Sequence, residues 1–160
     1  MYTENRKAGS IVLAVILIFL PLVGGMISAA MSGDQMVAFS EMNKPALSPP
    51  GWLFPIAWSI LYILMGMALL LMVRSRHEYK VGAICLFISQ LVMNYVWTPI
   101  FFGRQEYWTA FVILILMWLT TIICAIVSRK VDMRATLLLI PLILWETFAA
   151  YLNAGVAILN

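Results

Sequence analysis

LFPIAWSILYILMGMALLLMV (residues 53–73) runs from end to end without a charged side chain. An α-helix needs about 20 predominantly apolar residues to cross a hydrocarbon core ~30 Å thick, and this stretch meets that length. Four further segments of the same kind, at about 10–31, 81–102, 107–127 and 135–158, repeat the pattern along the chain. Hydrophobic residues make up 64% of the 160 and charged residues only 11%, too apolar a balance for a water-soluble domain. The expected fold is therefore an all-α integral membrane protein. It forms a single domain over 1–160, a bundle of five transmembrane helices with a long, partly helical first loop at 32–52.

The first segment also invites comparison with a secretory signal, because Arg6 and Lys7 precede its apolar run. That run is long and has no clear small-x-small ending, so it reads as a retained span. Basic residues then give the orientation. All of them except Lys44 and Arg104 fall at the N-terminus, in the second loop (Arg74, Arg76, Lys80) or in the fourth (Arg129, Lys130, Arg134). Basic loops stay on the cytoplasmic side, so the N-terminus is expected inside and the C-terminus outside. Trp52, Tyr107 and Trp108 fall at the outer interface, where amphipathic rings settle.

Several chemistries find no support. Cys85 and Cys124 lie deep in spans three and four and read as small packing residues, and His77 stands alone in a loop, so no metal site is expected. There is no long basic arm to meet nucleic acid. No nucleophile–base–orienter set and no glycine-rich phosphate loop are present, which disfavours a conventional enzyme.

Loop 32–52 is much the longest connection, and long loops in compact domains are usually functional covers or linkers. Met36, Val37, Phe39 and Met42 among polar residues suit a short amphipathic turn lying on the bundle. Pro49 and Pro50 in SPPGW stiffen the backbone just before the second span, which predicts a cover. Pro21 and Pro141 fall inside spans and predict bends, tolerated where neighbouring groups satisfy the freed carbonyls. Gly24, Gly25, Ser28 and Ala29 give helix one a small-residue face for close contact, within a protomer or between two.

Beneath the loop, polar and aromatic residues converge. At about 1.5 Å per residue, Trp58 lies ~8 Å below the outer end of its helix and Tyr62 one turn deeper. On the same scale Asn94 lies ~12 Å deep, Trp97 ~8 Å, Asn153 ~8 Å and Glu146 ~18 Å. Gln90, Asn94, Trp97 and Thr98 share one helix face, and Glu146, Ala149, Ala150 and Asn153 share another. Flat rings, small alanines and a few amides are the makings of a small-molecule pocket. The alternative is that the amides only bond helix to helix. Glu146 is the one formally charged residue inside a span, which makes it a functional candidate.

Three segments, KPALSPPGWLFPIAWSILYILMG, NYVWTPIFFG and IPLILWETFAAYLN, resemble the signature segments of the TspO/MBR family of tryptophan-rich sensory proteins and translocator proteins. The resemblance implies a five-helix bundle, often a homodimer, with a ligand cavity under the first loop. It implies protoporphyrin IX and other hydrophobic small molecules, benzodiazepine-type compounds among them, as ligands, with no required cofactor. It carries ligand-binding roles onto Pro49, Pro50, Trp58, Tyr62, Asn94, Trp97, Thr98, Trp145 and Ala149. Trp58 and Trp145 match the tryptophans implicated in light-dependent porphyrin breakdown. A bacterial cell membrane is the implied location. Three positions depart from the family pattern: Leu47 stands where many relatives have Trp, no basic residue follows Tyr151 as the sterol-associated pattern requires, and Glu146 replaces an apolar or small residue. Adjacent helical residues diverge by about 100°, so Trp145 and Glu146 cannot both face one cavity. The resemblance gives Trp145 the ligand, leaving Glu146 to bond a neighbouring helix. The resulting expectation is a membrane receptor for porphyrins, with a transporter of amphipathic molecules as the competing reading.

Overall fold

The computed structural model describes residues 2–160, and their side chains except those of residues 2–8 and Met36. The expected roles of Arg6 and Lys7 as inner-side charges, and of Met36 in the loop helix, lie outside the described side chains. The helices are α1 (Tyr2–Ala30), α2 (Gln35–Glu41), α3 (Leu53–Arg74), α4 (Lys80–Thr98), α5 (Tyr107–Val131) and α6 (Met133–Leu159), with no strand among the described residues. All except α2 are long and apolar enough to cross a membrane, and the protein is a multi-pass integral membrane protein. Neighbouring spans follow the order α1, α3, α6, α5, α4, and α4 returns to α1 to close the ring.

Lipid-facing and core-facing sides divide as a bundle requires. Ile11, Ile16, Val23, Ile60, Val92, Val112 and Leu144 are exposed to the surroundings, while Met65, Met72, Phe87, Leu114, Met117 and Leu139 are fully packed inside. Cys124 belongs to the packed set, whereas Cys85 is exposed on α4; both are free thiols. Trp52 and Trp108 are exposed near the end that carries loop 32–52.

Two local devices shape the helices. Pro99 has no N–H to give to the Tyr95 carbonyl one turn earlier. The Ser28 hydroxyl of α1 donates to that carbonyl at 2.6 Å, so a backbone gap in α4 becomes a tie to α1. Beyond Pro99 the helix widens into a π turn over Pro99–Gly103, closed by the Arg104 N–H on the Pro99 carbonyl at 2.9 Å. The second device is Asp132, in extended conformation between α5 and α6. Its carboxylate accepts the Arg134 backbone N–H at 2.9 Å and the guanidinium at 2.9 and 3.1 Å, which holds the carboxyl below the usual carboxylate range. The connection expected over 128–134 therefore shrinks to one residue, and both helices outrun their expected spans.

Small residues set how near α1 comes. The face of α1 that bears Gly24 and Gly25 lies against the rings of Tyr95 and Tyr62, with no room for a Cβ at either position. The small-residue face predicted on helix one thus serves contact within the chain. Across the same seam, Gly66 of α3 lies against the Ile18 carbonyl, where an added Cβ would collide with backbone. Gly66→Ala is expected to lower the unfolding free energy by about 1–3 kcal/mol, because backbone cannot rotate aside. Gly82→Ala, where nothing lies within 4 Å, should be neutral or slightly stabilising. Tryptophan fluorescence during denaturation in mixed micelles measures both.

Candidate functional site

Loop 32–52 is a strap fixed at several points. Helix α2 opens with the Val37 N–H bonded to Asp34 Oδ1 at 3.1 Å. It closes with Lys44 Nζ donating to the carbonyls of Phe39 and Ser40 at 2.8 and 3.1 Å. Phe39 and Met42 turn inward and are buried, as an amphipathic turn requires, with Phe39 edge-on to Phe54 of α3 at 4.9 Å. The rest of the strap is tied to the end of α6. Pro45 occupies the space above Gly155, the Tyr151 hydroxyl donates to the Ala46 carbonyl at 2.7 Å, and the Asn160 amide pairs with the backbone of Asn43 at 3.0 and 2.9 Å. Leu47 adopts φ 65 and is 84% exposed, so the residue that departs from the family pattern contributes nothing to the wall beneath.

Under the strap lies a cavity of about 420 Å³, within the range of roughly 300–1,000 Å³ usual for small-molecule sites. Aromatic rings from four elements wall it: Phe39 of α2, Phe54, Trp58 and Tyr62 of α3, Trp97 of α4, and Phe102 of the π turn. Gly25 and Ala29 of α1 and Gly51 of the strap leave the open space. The polar side chains that reach it are few: Asp34, Gln35, Thr98 and the Tyr62 phenol.

Buried amides behind the wall fix the rings. The Tyr62 hydroxyl donates to Asn94 Oδ1 at 2.5 Å, and the Trp97 indole N–H donates to Asn153 Oδ1 at 3.0 Å. Asn153 in turn donates from its amide to the Tyr107 carbonyl at 2.8 Å, linking α4, α5 and α6. Trp97 stacks on Phe101 at 4.9 Å, and Trp58 lies against Tyr62 at 5.4 Å. The cavity is thus preorganised: each principal ring is held by a neighbour or a hydrogen bond before any ligand arrives.

Of the residues expected at the site, Trp58, Tyr62, Trp97 and Thr98 line this cavity. Pro49 and Pro50 lie in the strap beside Gly51, and the Pro50 carbonyl accepts the Leu53 N–H that starts α3. Asn94 stands behind Tyr62. Ala149 is packed with Phe39, Met42 and Trp97. Trp145 stands behind Trp58, edge-on at 6.4 Å, and borders a shallow groove between α3 and α6 with Ile60, Leu64 and Phe148. Glu146 is fully buried and bonds the Thr121 hydroxyl of α5 at 3.1 Å. The contributions of Phe54, Phe102 and the α1 face were missed. The Gly25–Ala29 spacing was the available signal for α1. Among the described residues no His, Cys, Asp and Glu cluster could hold a metal.

A family model described as the TspO/MBR family matches residues 15–159. The tryptophan-rich protein TspO of Chlorobaculum tepidum is 37% identical over 125 residues, 76% of this chain and 78% of its own length. Protein CrtK of Rhodobacter capsulatus is 35% identical over 124 residues, 76% of this chain and 78% of its own. The translocator protein of Ovis aries is 32% identical over 138 residues, covering 84% and 82%.

The Trp97–Asn153 bond offers a direct test of the wall. Asn153→Ala leaves the buried Trp97 indole N–H without its partner and removes the tie to the Tyr107 carbonyl, and is expected to lower stability by about 1–3 kcal/mol. Trp97→Phe made on top of Asn153→Ala should cost less than Trp97→Phe alone, since the bond is already gone. A double-mutant cycle on unfolding in detergent measures the difference.

Proposed function

Because the chain belongs to the TspO/MBR family, we propose that it is a membrane receptor that binds protoporphyrin IX-type tetrapyrroles in the cavity beneath the strap. The observation that carries this reading is the wall itself, flat rings of Trp58, Tyr62, Trp97, Phe54 and Phe102 around about 420 Å³ with only a few polar groups. A planar macrocycle buries its faces against such rings, and each offset or edge-on aromatic contact adds about 0.5–1.5 kcal/mol beyond the area buried. Gln35 and Thr98 are the hydrogen-bonding groups beside which a ligand carrying carboxylates at its edge would be oriented.

The reading extends to light. Trp58 in the wall and Trp145 behind it form an edge-on pair at 6.4 Å. Trp58 faces the photoexcited pigment directly and Trp145 backs Trp58 from α6, a relay away from a pigment that is consumed under illumination in the presence of oxygen. The chemistry belongs to the pigment and oxygen, and the protein supplies position. The excess of Lys and Arg in the loops on the N-terminal side supports an N-terminus in the cytoplasm, with the strap and cavity at the opposite face of the membrane.

Titration of the purified protein with protoporphyrin IX should quench tryptophan fluorescence saturably. Trp58→Ala and Trp97→Ala should each weaken binding about tenfold or more, corresponding to at least ~1.4 kcal/mol. Unchanged affinity in the Trp58→Ala, Trp97→Ala double variant would remove the proposed site. Loss of the pigment's absorbance in the light and not in the dark, reduced in Trp58→Phe, would establish the photochemical extension.

A further inference from the structure

The most polar layer of the bundle lies outside the ligand cavity. Gln90 and Asn94 of α4, Thr121 of α5 and Glu146 of α6 are all essentially inaccessible, and all lie inside membrane-spanning helices. Their level follows from the Trp97–Asn153 bond, which joins α4 to α6 at one height. These two spans run in the same direction. Seven residues back along each, about two turns, come Gln90 and Glu146, on the same buried faces as Trp97 and Asn153. Thr121 meets Glu146 from α5, and Asn94 sits one turn above Gln90.

Counting hydrogens constrains the carboxyl. Thr121 Oγ1 lies 3.0 Å from the Met117 carbonyl and 3.1 Å from Glu146 Oε1, yet a hydroxyl carries a single hydrogen. Each contact is a full two-centre hydrogen bond when Glu146 supplies the hydrogen for its own, as a neutral carboxylic acid; with Glu146 ionised the one Thr121 hydrogen is divided between two acceptors. Charge leads to the same state. The single ion pair among the described residues is Arg134–Asp132, outside this layer, so an ionised Glu146 would have no counter-charge within the membrane. The other titratable groups packed around the layer are Cys124 of α5, Tyr62 of α3 and Tyr95 of α4, and none brings a positive charge.

Four polar atoms here have no partner in the protein: Gln90 Nε2, Gln90 Oε1, Asn94 Nδ2 and Glu146 Oε2. Two are donors and two are acceptors. A metal cation would serve the acceptors and be repelled by the two amide N–H groups, while an anion would do the reverse. Water donates twice and accepts twice, and so matches the set.

We propose that Gln90, Asn94, Thr121 and Glu146 form a hydrated proton-binding site beneath the ligand cavity. In it, internal water joins the neutral Glu146 carboxyl to the Gln90 and Asn94 amides. The site communicates with the cavity through one bond. Asn94 turns its oxygen to the Tyr62 hydroxyl at 2.5 Å and its nitrogen to the water, and Tyr62 is itself a cavity wall. A ligand that captures the Tyr62 hydroxyl changes what Asn94 offers to the water, whatever that ligand is.

Infrared spectroscopy of the full chain in lipid nanodiscs tests this. With glutamate carboxyls labelled by carbon-13, a protonated-acid carbonyl band at neutral pH reports Glu146, because Glu4, Glu41, Glu78 and Glu106 all lie outside the spans. The band should vanish in Glu146→Gln, move to lower frequency in D2O, and shift in both Gln90→Met and Tyr62→Phe. The labelling assigns the band even where Glu146→Gln fails to fold. An ionised-carboxylate signal with no acid band from the labelled protein at neutral pH would overturn the proposal. So would an acid band indifferent to D2O, or one unmoved by Gln90→Met.

Discussion

Inside hydrocarbon a backbone carbonyl without a partner has no water to turn to, and this constraint governs the whole bundle. It makes every span a helix, and it makes each helical proline a demand on a neighbour. The demand at Pro99 is visible: the Tyr95 carbonyl it leaves open is taken by Ser28 of α1. Tyr95 returns a second bond to α1, its hydroxyl donating to the Pro21 carbonyl at 2.9 Å. Gly24 and Gly25 let the tyrosine rings lie against α1, so the bonds and the small residues are one arrangement. Without it α1 would not close the ring of helices, and the side of the cavity formed by Gly25 and Ala29 would be open to lipid.

The same scarcity of partners governs side chains. In water an asparagine can face solvent at little cost, whereas in this bundle Asn94 and Asn153 hold Tyr62 and Trp97. Each of those rings has an apolar body for the cavity and a polar tip that needs a partner behind it. The amides supply that partner, which leaves the cavity itself almost free of hydrogen-bonding groups. The wall therefore offers chiefly shape and aromatic surface, with Thr98 and Gln35 as the local polar points.

Much of this was legible in the chain. The five spans, an amphipathic turn in the loop (with Phe39 and Met42 buried but Val37 exposed), and the convergence of Trp58, Tyr62, Trp97 and Thr98 followed from run length, from residue pattern and from helix depth. The separation of Trp145 from Glu146 onto different faces followed from the helical repeat. Other features depend on which helices become neighbours, which periodicity does not encode. The ring order puts α1 beside α3 and α4, so glycines that advertised only close contact became a cavity wall. Asn94 and Asn153 were at the right depth for ligand contact, but depth cannot say whether an amide faces the cavity or stands behind the ring that does. The one-residue joint at Asp132 was hidden because its polar neighbours resemble a loop, while the Asp132–Arg134 pairing makes a sharp reversal sufficient.

Helix α6 is the element through which these parts bear on one another. Gly155 and Tyr151 anchor the strap, Asn153 holds Trp97, Trp145 backs Trp58, and Glu146 enters the polar layer with Thr121. The helix is continuous across all five positions, and it meets α5 through a single-residue joint. A small rotation of α6 about its own axis would move Trp145 and Glu146 together, because adjacent residues share one rigid backbone. It would also pull on Ala46 and Asn43 in the strap. Packed interiors resist continuous deformation and tend to switch between discrete arrangements. Cover, wall and buried acid are therefore tied to one rigid body, which is why a carboxyl two turns below the Trp97–Asn153 bond is in a position to register events beneath the strap.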